Sequence, residues 1–215
     1  MEFFRRNVAQ PKRIGVFPGS FNPVTVAHLA VAGAALNVVD EVVFVLPREF
    51  PHKTYSGASF SQRLAVLASA VREFPRFSIA AADGGLFLEI SAECREAYGS
   101  DVRQSFLCGR DAAERIVNWD YGRAGALQEM LGQFDFLVAA RHGEYVAPTV
   151  EGVDGAAAFQ RLDLSGDYDP VSASEVRERI AQGLPWEHLV PPSARHRVGE
   201  IYAIIERRPN LPLAE

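Results

Sequence analysis

The chain has 215 residues, with 22 Lys and Arg against 27 Asp and Glu for a formal net charge of −5, and 48% of it is hydrophobic. That apolar content with modest charge excludes intrinsic disorder, and no apolar run approaches the roughly 18 residues of a membrane-spanning helix. A chain of this length buries roughly 70% of the surface its unfolded form exposes, so one domain holds a core without disulfides or a structural metal.

Arg5, Arg6, Lys12 and Arg13 make the start of the chain basic. The overall acidic balance argues against nucleic acid as a partner, and residues 1–12 are expected to be a solvated arm. Beyond the arm, short runs rich in β-branched and aromatic residues alternate with segments of helical spacing, the pattern of buried parallel strands joined by crossover helices. Strands are predicted over 14–17, 41–46, 77–81, 105–108, 134–139 and 159–164. Helices are predicted over 26–36, 60–74, 91–98, 111–118 and 125–131, with a helical tail over 174–182 and 193–207. The expected fold is α/β: a Rossmann-like, doubly wound, mainly parallel sheet with helices on both faces, its core over 13–164 and a C-terminal helical segment over 165–215. Cys94 and Cys108 lack metal-ligand spacing and no apolar leader follows the basic start, so a reduced, cytoplasmic setting is expected.

In such sheets ligands bind at the carboxyl ends of strands, which directs attention to the loops over 18–27, 47–59 and 109–111 and to a fourth element over 171–177. The first reads GVFPGSFNPVTVAHL and runs into a helix with Thr25 and His28 three positions apart, so both side chains can face one way. Free helix-start amides, an imidazole and a hydroxyl together make an anion cradle. It has neither the Gly-Lys-Ser/Thr of a Walker loop nor G-x-G-x-x-G, which removes support from kinase-like and dehydrogenase readings. In the fourth element, Ser172 and Ser174 stand at a helix start with Arg177 one turn further on, an arrangement that caps amides or binds phosphate. Lys53 is either a phosphate-closing ammonium or an exposed loop lysine, and Arg63 either a site residue or half of a helix-start ion pair. Asp111, just past a strand end, can accept from ribose hydroxyls or cap a helix, and Trp119 is either a stacking platform or a core residue. Arg141 either contacts phosphate or lies on the surface. His142, His188 and His196 show no metal spacing, and no Ser-His-Asp order or paired carboxylates point to covalent catalysis.

Gly19-Ser20-Phe21-Asn22-Pro23 followed by Thr25-Val26-Ala27-His28 resembles the G-x-F-[DN]-P…[HT]-x-G-H signature of the adenylyl- and cytidylyltransferase superfamily, with Ala27 where the family has glycine. Val171-Ser172-Ala173-Ser174-Glu175-Val176-Arg177 resembles its I-S-[SA]-T-x-[IV]-R element, with Ser174 for threonine. Pro51-His52-Lys53, the strand ending Cys108-Gly109-Arg110-Asp111, Asn118-Trp119-Asp120-Tyr121, and Arg141-His142-Gly143 resemble elements of bacterial nicotinate-mononucleotide adenylyltransferases. The resemblance covers about residues 13–207.

It implies transfer of AMP from ATP to a mononucleotide phosphate with release of pyrophosphate, in NAD biosynthesis. Carried onto this chain, His28 and Thr25 would bind the α- and β-phosphates, Lys53 and Arg177 the departing pyrophosphate, and Ser172 and Ser174 the β/γ end. Phe17, Gly19, Ser20 and Phe21 would line the ATP cradle, Gly109 would bind ATP or its phosphates, Asp111 would meet a ribose, and Trp119 and Arg141 the acceptor. Mg²⁺ would ride on the ATP phosphates, with no metal site on the protein, and a homo-oligomer is left open. The S-Y-T element that helps recognise the pyridine has no clear equivalent over 83–89. A transferase acting on another phosphorylated acceptor therefore stays open, as does a non-catalytic nucleotide-binding relative.

Overall fold

The computed structural model describes residues 1–8, 10–50, 55, 57–139, 145–166, 168 and 170–206. Seven strands are found among them: β1 (Glu2–Arg5), β2 (Arg13–Pro18), β3 (Glu41–Pro47), β4 (Phe77–Ala82), β5 (Arg103–Gly109), β6 (Asp135–Ala139) and β7 (Phe159–Leu162). They form one sheet in the order β1-β4-β3-β2-β5-β6-β7, parallel except for β1, which runs antiparallel to β4. The helices are α1 (Val26–Ala35), α2 (Phe60–Val71), α3 (Phe87–Tyr98), α4 (Arg110–Val117), α5 (Ala126–Leu131), α6 (Gly155–Ala158), α7 (Ala173–Gln182) and α8 (Arg195–Glu206). This is the Rossmann-like α/β architecture that the alternation of apolar runs predicts. Among the six parallel strands, chain order runs outward on both sides of the β2/β5 pair, so the winding reverses there and the loop leaving β2 is the place where such sheets bind ligands.

The chain divides into two compact units that interleave along the sequence instead of following one another as core and tail. The first comprises Met1–Gly19, Ala30–Pro51 and Pro75–Asp167 and contains the whole sheet. The second comprises Ser20–Leu29, His52–Phe74 and Tyr168–Glu215 and contains α2, α7 and α8.

In the first unit every residue of β3 is buried, as a strand covered on both faces requires. An aromatic cluster fills one side of β5 and β6: Phe87 meets Phe106 and Phe136 edge-on, and Phe136 stacks on Phe159 with centroids 5.2 Å apart. In the second unit α8 packs on α2 and α7, and its Val198 and Tyr202 are fully buried. Ser59 caps α2 through a reciprocal pair with Gln62, which satisfies two amides that would otherwise lack partners at the helix start.

Two expectations change. Residues 2–5 are an edge strand and not a solvated arm, registering Glu2 with Ala81 and Phe3 with Ala80. The alternation in Glu-Phe-Phe-Arg supplies one half-buried face, on which Phe3 meets Tyr98, and Asn7 pins the strand's exit by donating to Ser78 Oγ at 3.0 Å and the Phe77 carbonyl at 2.8 Å. Helix α3 starts at Phe87, four residues before the predicted 91, because Glu89 and Glu93 fold back onto amides at and before its start.

Phe136→Ala removes the ring shared by most of these aromatic contacts, and it is expected to cost about 3–5 kcal/mol of stability. A urea titration checks this through a lower midpoint at an unchanged slope.

Candidate active site

The root of the loop after β2 belongs to the sheet. The Gly19 N–H donates to the Val45 carbonyl at 3.0 Å, carrying the β2/β3 ladder one residue past the strand, and the Phe17 ring is buried against Phe44 at 5.5 Å. Both residues fix where the loop departs, and Phe17 does so from within the core. Phe21, also buried, takes φ 44°, the left-handed region that bulky side chains rarely adopt, and its ring sits edge-on to the His28 imidazole at 5.3 Å.

The Thr25 backbone N–H donates to His28 Nδ1 at 3.0 Å, and the Thr25 hydroxyl lies 2.7 Å from the same nitrogen. An amide can only donate, so Nδ1 is the acceptor and the ring proton of the neutral imidazole sits on Nε2. The hydroxyl must then donate to Nδ1 as well. Thr25 is fully buried, so its side chain serves to hold the imidazole. Burial drives the His28 pKa down to about 4, which keeps the ring neutral at physiological pH.

Asn22 is the centre of the second unit's polar contacts, and its role is invisible in the sequence. Its Oδ1 accepts from the Tyr202 hydroxyl at 2.7 Å and from the Ala58 N–H at 3.4 Å, while its backbone carbonyl accepts from Arg177 Nη1 at 2.6 Å. Gly57 closes over it: at φ 121° a Cβ would lie 2.5 Å from Asn22 Nδ2, so only glycine fits. Arg177 Nη2 also donates to Ser174 Oγ at 3.2 Å, and Ser172 Oγ caps α7 by accepting from the Glu175 N–H at 3.0 Å.

Arg63, at the start of α2, turns into the second unit. It is buried, donates from Nη1 to the Ser20 carbonyl at 2.8 Å, and lies over the Tyr55 ring at 4.5 Å. The second unit thus gathers Ser20, Phe21, Thr25, His28, Ser172, Ser174 and Arg177 and adds Asn22, Arg63 and Tyr202. Separations of 43 to 180 residues hide these last contacts from any local pattern.

Gly109, Asp111 and Trp119 fall in the first unit. Gly109 ends β5 and opens α4, where Asp111 is exposed beside a cleft of about 530 Å³ shared with Glu114, Arg115 and Asn118. Trp119 is 49% exposed and lines a cleft of about 430 Å³ with Tyr121 and Arg123, so it is not a core tryptophan. Lys53 and Arg141 lie outside the described residues. In the loop after β4, Glu93 accepts from the amides of Asp83 and Gly84, and Glu89 from those of Gly85 and Leu86, at 3.0–3.3 Å. Cys94 and Cys108 are buried and their thiols are pushed up to about 12, which keeps them un-ionised. No described helix is long and apolar enough to cross a membrane.

A family model described as cytidylyltransferase-like matches residues 16–179. The chain belongs to that family. It is therefore a nucleotidyltransferase, and the loop around His28 and the start of α7 both fall within the matched stretch. Among similar curated proteins, a probable nicotinate-nucleotide adenylyltransferase of Bordetella petrii is 31% identical over 187 residues, covering 84% of this chain and 92% of the relative. One of the same name from Thermus thermophilus is 29% identical over 197 residues, covering 88% and 95%. The structure of Plasmodium falciparum nicotinic acid mononucleotide adenylyltransferase complexed with NaAD superposes with a TM-score of 0.67 at 17% identity, covering 89% of this chain and 97% of that one. At that identity the likeness shows a shared fold.

The His28 assignment is open to direct measurement. Long-range ¹H–¹⁵N spectra are expected to show an Nε2–H tautomer titrating near pH 4, whereas an Nδ1–H tautomer or a midpoint near 6.5 would contradict it. Because the folded-state pKa lies below the unfolded value of 6.5, the unfolded chain binds more protons between 6.5 and 4, so this group's contribution to stability falls as pH drops through that window.

Proposed function

We propose that this chain transfers AMP from ATP to the phosphate of nicotinate mononucleotide, releasing pyrophosphate and forming the dinucleotide, a step of NAD biosynthesis in the cytoplasm. The observation that carries the proposal is that a neutral, tautomer-fixed imidazole and a guanidinium are both held by hydrogen bonds to the one short loop leaving the sheet's switch point. The names of the similar curated proteins support the choice of acceptor.

An acceptor phosphate is already an adequate nucleophile, so positioning and charge stabilisation are what the protein has to supply. One of its oxygens bonds to the α-phosphorus of ATP as the bond to the β-bridging oxygen breaks, and that electron pair leaves on pyrophosphate. His28 donates a hydrogen bond from its Nε2–H to a non-bridging phosphate oxygen, where charge builds in the transition state. Arg177, held by Asn22 and Ser174, meets the departing pyrophosphate with a planar fork of donors. Thr25 acts through His28 as a positioning residue, Ser172 secures the first turn of α7, and Lys53 adds an ammonium at the phosphates. Asp111 meets a ribose, and Trp119 and Arg141 face the acceptor. The Mg²⁺ such a reaction uses would be carried on the triphosphate. When bound, that ion offsets phosphate charge.

A second acceptor class is favoured by one feature. The amides of residues 83–86 are engaged by Glu89 and Glu93 and carry no pyridine-recognition element, which suits a different phosphorylated acceptor. Pyrophosphate release measured with ATP, Mg²⁺ and a panel of nicotinate mononucleotide, nicotinamide mononucleotide and 4′-phosphopantetheine separates the two. The proposal expects the highest kcat/KM with nicotinate mononucleotide, and a clear preference for another acceptor would replace it. On the preferred acceptor, His28→Ala is expected to lower kcat by roughly 10²–10³ with the fold intact, and near-normal turnover would remove His28 from the chemistry.

A further inference from the structure

We propose that Tyr202, on α8 and beyond the stretch matched by the family model, is a positioning residue that sets Arg177 for the triphosphate by fixing Asn22. The proposal rests on the adenylyl-transfer reading above and concerns how its leaving-group arginine is held in place. Tyr202 is fully buried in the second unit, yet it is polar at its tip, and that tip is spent on Asn22 Oδ1 at 2.7 Å. A buried phenol with only a packing task is replaceable by phenylalanine, whereas this one restrains a residue whose other end touches the site. With Oδ1 held by Tyr202 and Ala58 and Nδ2 confined by Gly57, the Asn22 side chain has one orientation. Asn22 itself is 5% exposed, so no bulk water replaces a lost partner. Its carbonyl, the group that accepts from Arg177 Nη1 at 2.6 Å, sits on the same residue and inherits that constraint. The guanidinium is then tied at two points, Asn22 O and Ser174 Oγ, and Tyr202 secures the first of them across 180 residues of sequence.

Tyr202→Phe deletes one hydroxyl and keeps the ring. It is compared with wild type, Arg177→Ala and the double variant, with melting curves used to choose a temperature at which all four are folded. The measurements are kcat and KM for ATP, KM for the acceptor, and the Kd for ATP from calorimetry. Tyr202→Phe is expected to lower kcat/KM for ATP by roughly three- to tenfold, the loss of one buried hydrogen bond, without moving the acceptor KM. Once Arg177 is alanine, adding Tyr202→Phe is expected to change kcat/KM less than twofold, because residues acting as one unit are not additive. A lowered melting temperature with unchanged kcat/KM, or an equal loss in both backgrounds, would assign Tyr202 to packing alone and overturn the proposal. Absence of pyrophosphate release from wild type would instead overturn the adenylyl-transfer reading. The calorimetric arm still decides in that case: non-additive weakening of ATP binding supports the coupling of Tyr202 to Arg177, and additive or absent weakening refutes it.

Discussion

The site depends on a single backbone hydrogen bond, from the Thr25 amide to His28 Nδ1. It removes the ambiguity that makes histidine versatile. With Nδ1 occupied as an acceptor and burial holding the ring neutral, the ring lone pair is taken by Thr25 and the ring proton sits on Nε2. In the proposed adenylyl transfer the Nε2–H is the donor that meets a phosphate oxygen as it gathers charge, and a neutral donor avoids the cost of keeping an imidazolium buried before substrate arrives.

Around that bond the loop is held by contacts that cost little individually and fix each other. Arg63 takes the Ser20 carbonyl, Arg177 the Asn22 carbonyl, and Tyr202 and Ala58 the Asn22 side chain. Carbonyls of a loop in this position cannot be satisfied by the sheet, so the second unit supplies partners from α2, α7 and α8. A strained Phe21 backbone persists because its neighbours over-determine it. Within the second unit, its helices set the shape of residues 20–29.

Much of this was legible in the residues. The parallel strands, and most helices, fall within a few residues of where alternation and turn signals put them, since buried parallel strands such as Val42–Val43–Phe44–Val45 leave a continuous apolar run. The loop and its histidine were visible as well, because glycine, proline and a helix start lie in one short segment. The hub was not. Asn22 is one letter of a motif, Arg63 reads either as a site residue or as half of a helix-start ion pair, and Tyr202 carries no local signal, so only folding brings them together. The amino-terminal arm misled for the opposite reason, its basic residues outweighing the Phe3–Phe4 alternation that seats it on β4. In the loop after β4, the missing recognition element was noticed, but the use of Glu89 and Glu93 to hold its amides had no local signal.

If the loop's imidazole only donates, and no side chain of the site becomes covalently attached to the nucleotide, AMP moves from ATP to acceptor in one displacement. The stereochemical course at phosphorus tests this most directly, using one diastereomer of adenosine 5′-O-(1-thiotriphosphate) and the preferred mononucleotide. The account predicts inversion of configuration at the α-phosphorus in the dinucleotide product. Retention would mean two successive displacements through an adenylylated side chain and would contradict it.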